Sequence, residues 1–216
     1  MIPIKLNNER FPGKNTKCFS DGTPLMTMIQ RTCLETPSID EVYVFGSDER
    51  IKEYVIDGVK FLKRPERLDG KGATGNDIIE EFLKKVDADI YVMSHATGPF
   101  TKSASIEECI RSVVSGKYDS AFLAKKIQQF LWVEGKPLNF DISNVPRTQD
   151  LQPIYVEATG AYVFEKNVFK KYHSRVGINP YICEISEIES RDIDHPEDFE
   201  IADAIYMNII KKEENI

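Results

Sequence analysis

The chain has 216 residues, 41% of them hydrophobic and 29% charged, with a formal net charge of −7. That length suffices for one sizeable core, the acidic balance excludes a general nucleic-acid binder, and no apolar run exceeds four residues, against about 20 for a membrane-spanning helix. The start, Met1-Ile2-Pro3-Ile4-Lys5, lacks the apolar stretch of a secretory signal, and Cys18, Cys33, Cys109 and Cys183 form no C-x-x-C pair, so a cytoplasmic chain with free thiols is expected.

In chain order, residues 2–6 begin as a short strand and break at 7–15, where Pro12, Gly13 and the asparagines forbid regular structure. Pro24 opens a helix over 25–34, with Leu25, Met28, Ile29, Thr32 and Cys33 at helical spacing. Residues 41–46 read as a buried strand, and Ser47-Asp48 supplies the cap of a short helix over 49–54. A strand at 59–62, a helix over 76–85 and a strand at 89–93 follow. The next helix, 103–115, has Ser105 and Glu108 at capping-box spacing, and a strand at 120–125 comes after it. This alternation predicts an α/β fold, a mainly parallel sheet with helices on both faces. Ligands bind such sheets beyond the C-terminal ends of the strands, where the polar loops 7–15, 46–48 and 94–99 fall.

Residues 128–152 break the rhythm. They hold the only tryptophan, Trp132, with Gly135, Pro137 and Pro146, and predict a small β-rich excursion that is either a dimerisation arm or a lid. Strand character returns at 154–157 and 160–164, followed by helices over 167–172 and 196–211. No repeat or low-complexity segment interrupts 1–216, which predicts a single domain.

Charge is divided along the chain. Residues 1–31 carry a net +3 and residues 184–203 a net −8. Lys5, Arg10 and Lys14 crowd a non-helical loop, a solvated basic turn or a phosphate cradle, although the P-loop spacing is absent. At the other end, Asp192-Ile193-Asp194 in extended form turns both carboxylates to one side, a pair suited to Mg²⁺ or Mn²⁺. Glu197 and Asp198 fit an acidic helix start, and His195 either a further ligand or a solvated loop. Arg64 stands beside the Gly-rich turn at 70–75, able to grip phosphate or carboxylate or to face solvent. His95 to Phe100, directly after a strand, lines a site or turns the chain. With three histidines in all, no Ser-His-Asp triad can be argued.

In this order and spacing the motifs resemble the acylneuraminate cytidylyltransferase family, the CMP-sialic acid synthetases and their CMP-Kdo relatives, across nearly the whole chain. The family's I-P-A-R-x-G-S-K-x-x-P-x-K-N is similar to IPIKLNNERFPGKN here, with Pro3, Pro12, Lys14 and Asn15 matching. Its S-T-D looks like Gly46-Ser47-Asp48, its R-P-x-x-L like Arg64-Pro65-Glu66-Arg67-Leu68, and its Q-x-T-S-P like His95-Ala96-Thr97-Gly98-Pro99. Its R-x-Q-D-L-P looks like Arg147 to Leu151, its N-G-x-x-Y like Thr159-Gly160-Ala161-Tyr162, and its D-x-D-x-x-x-D like Asp192, Asp194 and Asp198. Departures are Lys5 for the family Arg, Asn7-Asn8-Glu9 for G-S-K, His95 for Gln, and an extra Gln152. A carboxylate at Glu9 is compatible with a triphosphate loop only if it points away or touches metal.

The resemblance implies a three-layer α/β/α nucleotide-diphospho-sugar transferase (Rossmann-like) fold. It also implies a CTP-dependent reaction in which an acidic acceptor attacks the α-phosphorus and pyrophosphate leaves. By the same resemblance Lys5, Asn8, Lys14, Asn15 and Arg64 bind nucleotide, Lys14, Asp192 and Asp194 carry catalysis, and Asp192 and Asp194 hold Mg²⁺ (or Mn²⁺). His95, Thr97, Arg147 and Gln149 then face the acceptor, a sialic acid-type nonulosonic acid or related acid. A homodimer is implied, without nucleic-acid or membrane partners. The alternatives are a phosphonate or phosphorylated metabolite as acceptor, another nucleotidyl- or glycosyltransferase, or a non-catalytic nucleotide-binding protein on the same fold.

Overall fold

The computed structural model describes residues 1–214; Asn215 and Ile216, the end of the single domain expected over 1–216, lie outside the described residues. The strands are β1 (Ile2–Ile4), β2 (Val42–Gly46), β3 (Val59–Lys63), β4 (Ile90–Met93), β5 (Ser120–Ile127), β6 (Trp132–Val133), β7 (Lys136–Pro137), β8 (Ile154–Glu165) and β9 (Pro180–Ile185). The main helices are α1 (Leu25–Leu34), α2 (Gly75–Leu83), α3 (Ser103–Val114), α4 (Lys166–Tyr172) and α5 (Pro196–Ile205).

Strands β1, β2 and β3 pair in parallel in that order, and β4, β8, β5 and β9 form a second ladder in that order. The ladders join at Met1, whose N–H donates to Val92 O at 2.7 Å and whose carbonyl accepts from Ser94 N at 3.0 Å, the pattern of a parallel pair. Within these two ladders β8 runs against its neighbours β4 and β5, while β5 and β9 are parallel. The sheet is therefore mainly parallel, as expected.

Side chains alternate across it, and both faces are covered. On β2, Val42 and Val44 enter one core while Tyr43 and Phe45 enter the other. On β8, Ala161 and Val163 face the first, and Tyr162 and Phe164 the second. Helices α1 and α3 close the first face through Met26, Ile29, Ile106, Cys109 and Ile110. Helices α2 and α4 close the second through Ile79, Phe82 and Phe169. A third cluster, Phe19, Leu25, Phe100, Ile193, Phe199 and Tyr206, fastens α5 against the amino-terminal loop.

Several local expectations change. The two strands read at 154–157 and 160–164 are one strand, β8, whose pairing with β5 shifts register between Phe122 and Ala124. Strand β9 carries no clear sequence signal, because this edge strand opens on Pro180 and leaves Ile182 partly exposed. The Ser105–Glu108 capping box does not form. Helix α3 starts at Ser103, the Glu189 carboxylate accepts from Lys102 N at 3.0 Å, and Glu108 bonds the Tyr181 hydroxyl. The last helix is α-helical over Pro196–Ile205, then passes through a π turn at Tyr206–Ile210. The excursion at 128–152 contains the β6–β7 hairpin, turned by Glu134 and Gly135, both at positive φ (50° and 76°).

Candidate active site

The loops beyond the carboxyl ends of β1, β2 and β4 come together with the segment that follows β9. Lys14 begins a short 3₁₀ turn, Lys14–Thr16, and its side chain is buried. Its Nζ donates to Ile193 O at 2.7 Å and to Asp194 Oδ1 at 3.1 Å. Arg10 reaches the other oxygen of Asp194 at 2.7 Å. Asn15 is also buried and donates to Lys5 O at 2.9 Å, which ties the two ends of the loop. Lys5 makes no ion pair among the described residues, and Asn8 Oδ1 is buried with no hydrogen-bond partner among them. Glu9 points outward and pairs with Lys71 of the Gly-rich turn at 3.6 Å, so its charge leaves the loop's interior.

The acidic segment is held by the residue between its carboxylates. Ile193 is fully buried in the third cluster, and its N–H donates to Thr97 O at 2.9 Å. With Ile193 anchored inward, Asp192 and Asp194 leave by the other side of the extended chain. Asp192 Oδ1 accepts from Thr159 Oγ1 at 3.0 Å, and Thr159 Oγ1 lies 3.4 Å from Thr97 Oγ1. Asp198 takes the capping role instead: its Oδ2 accepts from Asp194 N at 3.0 Å and His195 N at 2.7 Å. Burial acts to raise its pKa, but these backbone bonds outweigh it and hold the carboxyl below its usual range.

The His95 loop is locked against β8. His95 N donates to Thr159 O at 3.2 Å; an added Cβ on Gly98 would stand 3.2 Å from Gly160 Cα, and one on Gly160 would collide with Thr101 Oγ1. Burial, then repulsion from Arg175 and Lys14, lowers the His95 pKa to about 4, so the imidazole is neutral at physiological pH. Its ring meets Tyr162 edge-on, with centroids 6.4 Å apart.

Other expected residues are placed differently. Arg64 is 2% exposed and bonded twice to Asp69 Oδ1, at 2.5 and 3.2 Å, while Ser47 bonds the second Asp69 oxygen. Arg64 is thus a buried pillar for the wall of a cavity of about 530 Å³, lined by Leu6, Asn7, Ser47, Asp48, Glu49, Lys63, Glu66 and Asp69. Arg147 is exposed and paired with Asp150 at 2.7 Å, and Gln149 is exposed beside it. Among the described residues, no contact joins either to His95 or Thr97. Sequence reasoning missed Thr159 as the partner of Asp192. It also missed Arg175, whose guanidinium carbon lies 3.7 Å from the Tyr162 ring centroid. A second cavity, about 510 Å³, lies at the amino ends of the strands and is lined by none of the expected site residues.

Fold and site together define an α/β protein with a charged site at the carboxyl ends of its parallel strands. The cytidylyltransferase family model matches residues 1–216, and the chain belongs to that family. It is 23% identical over 210 residues to an N-acylneuraminate cytidylyltransferase of Streptococcus agalactiae, covering 92% of this chain and 51% of that protein. It is 30% identical over 115 residues to a 3-deoxy-manno-octulosonate cytidylyltransferase of Geobacter metallireducens, covering 53% of this chain and 44% of that protein. The chain spans about half the length of these curated relatives. Its fold is similar to that of a CMP:2-keto-3-deoxy-manno-octonic acid synthetase solved with CTP, with a TM-score of 0.74 and 21% identity over 95% of this chain and 96% of the other.

Proposed function

We propose that the chain is a CTP-dependent cytidylyltransferase that joins CMP to a 2-keto sugar acid and releases pyrophosphate. The observation that carries this is the meeting of Lys14 and Arg10 with Asp194 in a loop cluster at the strand ends. The family match and the CTP complex of the similar synthetase support it.

Lys5, Lys14 and Arg10 supply positive charge for the triphosphate. The cavity of about 530 Å³ between the loops that follow β1 and β2, walled by Ser47 and Asp69 over the buried Arg64, suits the cytidine. Neutral His95, with Thr97, faces the acceptor as a hydrogen-bonding group without a charge. Asp192 and Asp194 offer only oxygen donors, which fits Mg²⁺ or Mn²⁺. No group of three or more His, Cys, Asp or Glu able to hold a metal occurs among the described residues, so such an ion would draw its remaining ligands from phosphates and water. Bound there, it would neutralise charge developing on the departing pyrophosphate. The chain's own task is to hold the triphosphate on Lys14 and to keep the acceptor oxygen in line with the α-phosphorus.

Pyrophosphate release from CTP with Mg²⁺ across a panel of sugar acids, phosphonates and sugar phosphates tests the proposal. Release with at least one sugar acid is expected. Release with ATP or UTP in place of CTP, or with a phosphonate alone, would overturn it. The 128–152 excursion leaves Trp132, Val133, Leu138, Ile142 and Val145 more than half exposed, an apolar surface suited to a second copy of the chain. Sedimentation at micromolar concentration should give a dimer that Trp132→Asp weakens. No helix among the described residues is long and apolar enough to cross a membrane.

A further inference from the structure

The loop after α4 carries a cation that no sequence motif marks. His173 ends α4 in a left-handed turn (φ 49°), and residues 174–179 lead into β9. The loop is firmly built. The Asp119 carboxylate accepts from Ile178 N at 2.8 Å and Asn179 N at 3.1 Å, and Ser120 Oγ accepts from Gly177 N at 2.8 Å. A Cβ on Gly177 would collide with Asp119, so the loop closes only on glycine there. From the other side, Asn76 of α2 donates to His173 O at 2.7 Å.

Arg175 is thereby held over the site. Its guanidinium stacks on Tyr162, at 3.7 Å from the ring centroid, and the same ring meets His95 edge-on. One terminal nitrogen lies 3.6 Å from Glu157 Oε2, longer than a hydrogen bond, and that oxygen already accepts from the Tyr162 hydroxyl at 2.9 Å. The other terminal nitrogen borders Gly75 at the start of α2, where an added Cβ would stand 3.4 Å away. A stacked, preoriented guanidinium with one loose carboxylate neighbour is well suited to a bidentate oxyanion.

We infer that Arg175 is an acceptor-binding residue whose guanidinium takes the carboxylate of the sugar acid, with Tyr162 as its platform and His95 at its side. This rests on the cytidylyltransferase reading and adds to it the group that grips the acceptor. In the ring form of a 2-keto sugar acid the attacking hydroxyl and the carboxylate share one carbon. Holding the carboxylate therefore fixes the nucleophile two bonds away. The step balances: the acceptor oxygen forms a bond to the α-phosphorus, the bond to pyrophosphate breaks, and the hydroxyl proton passes to solvent.

The test compares wild type, Arg175→Gln and Arg175→Lys. Pyrophosphate release is followed with an N-acylneuraminate, with 3-deoxy-manno-octulosonate and with a sugar phosphate lacking a carboxylate. Calorimetric titration of both sugar acids into the CMP-loaded protein runs alongside. For Arg175→Gln the acceptor KM should rise about 10- to 100-fold, with the KM for CTP unchanged and the binding constant weakened in parallel. Arg175→Lys should fall between, because it keeps the charge and loses the fork. Equal acceptor KM in wild type and Arg175→Gln would overturn the inference and leave the function standing. Turnover of the sugar phosphate alone would overturn the carboxylate assignment. Sugar-acid binding that depends on Arg175 without turnover would uphold the inference and remove the function. Neither binding nor turnover of any acceptor would overturn both.

Discussion

Lys14 Nζ stands 3.1 Å from Asp194 Oδ1, although 180 positions separate the two residues in the chain. The cationic loop near one end and the acidic segment near the other are two halves of one site. Each partner neutralises the other, and the carbonyl of Ile193 adds a second acceptor for the buried ammonium at 2.7 Å. In the proposed function a triphosphate on Lys14 and a divalent ion on Asp194 would take the place of this pair.

Asp194→Asn and Lys14→Met should each lower cytidylyl transfer by roughly 100-fold or more. Their stability effects should not add. Asp194→Asn leaves a buried ammonium with less compensation, which costs about 1–3 kcal/mol, and the double variant should recover part of it. Urea denaturation of the four proteins measures the coupling. Strict additivity would mean that the pair is incidental.

His95 gives the protein a pH dependence of definite sign. Its pKa is about 4 in the fold, through burial first and then Arg175 and Lys14, against about 6.5 in an unfolded chain. Between these values the unfolded chain binds a proton that the fold refuses. The fold therefore loses stability as pH falls from about 6.5 towards 4, on the order of 3 kcal/mol in all, and above about pH 6.5 the residue adds no pH dependence. His95→Gln should flatten this part of the profile. Urea midpoints at neutral and mildly acidic pH, compared for both proteins, check it, and parallel profiles would contradict it.

The Ser47–Asp69–Arg64 cluster should behave as structure. Asp69→Ala strands a guanidinium that is 2% exposed, at a cost of about 3 kcal/mol. Replacing both partners, Arg64→Leu with Asp69→Leu, should cost less than Asp69→Ala alone. Thermal or urea unfolding decides between these outcomes. A larger loss in the double variant would show that Arg64 has a second partner of consequence.

Gly160 and Thr101 form a steric pair. Gly160→Ala forces a Cβ onto the Thr101 side chain and should destabilise by about 1–3 kcal/mol. Thr101→Ala in the same chain removes both colliding atoms and should restore part of the loss. Unfolding curves of the single and double variants test this, and equal curves would rule out the collision as the cause.

Much of the fold was legible in the sequence because its signals are local. Helix α1 runs over Leu25–Leu34, the residues its apolar spacing predicts, and the strand ends fall at the polar loops. Strand β9 was not legible, because a short edge strand beginning with proline has weak periodicity. The Ser105–Glu108 spacing misled, because Glu189, from a distant segment, reached the start of α3 first.

What the sequence determined by itself is the α/β alternation, the family motifs and the separation of charge into a basic beginning and an acidic end. Those depend on side-chain period, turn residues and composition, all of which act over a few positions. Which charges meet follows from packing across the whole chain. That packing brought Lys14 to Asp194 and Thr159 to Asp192, committed Arg64 to Asp69, and carried Arg175 onto Tyr162 beside His95. Such contacts are set by how helices and strands pack, and by the cost of burying a charge without a partner.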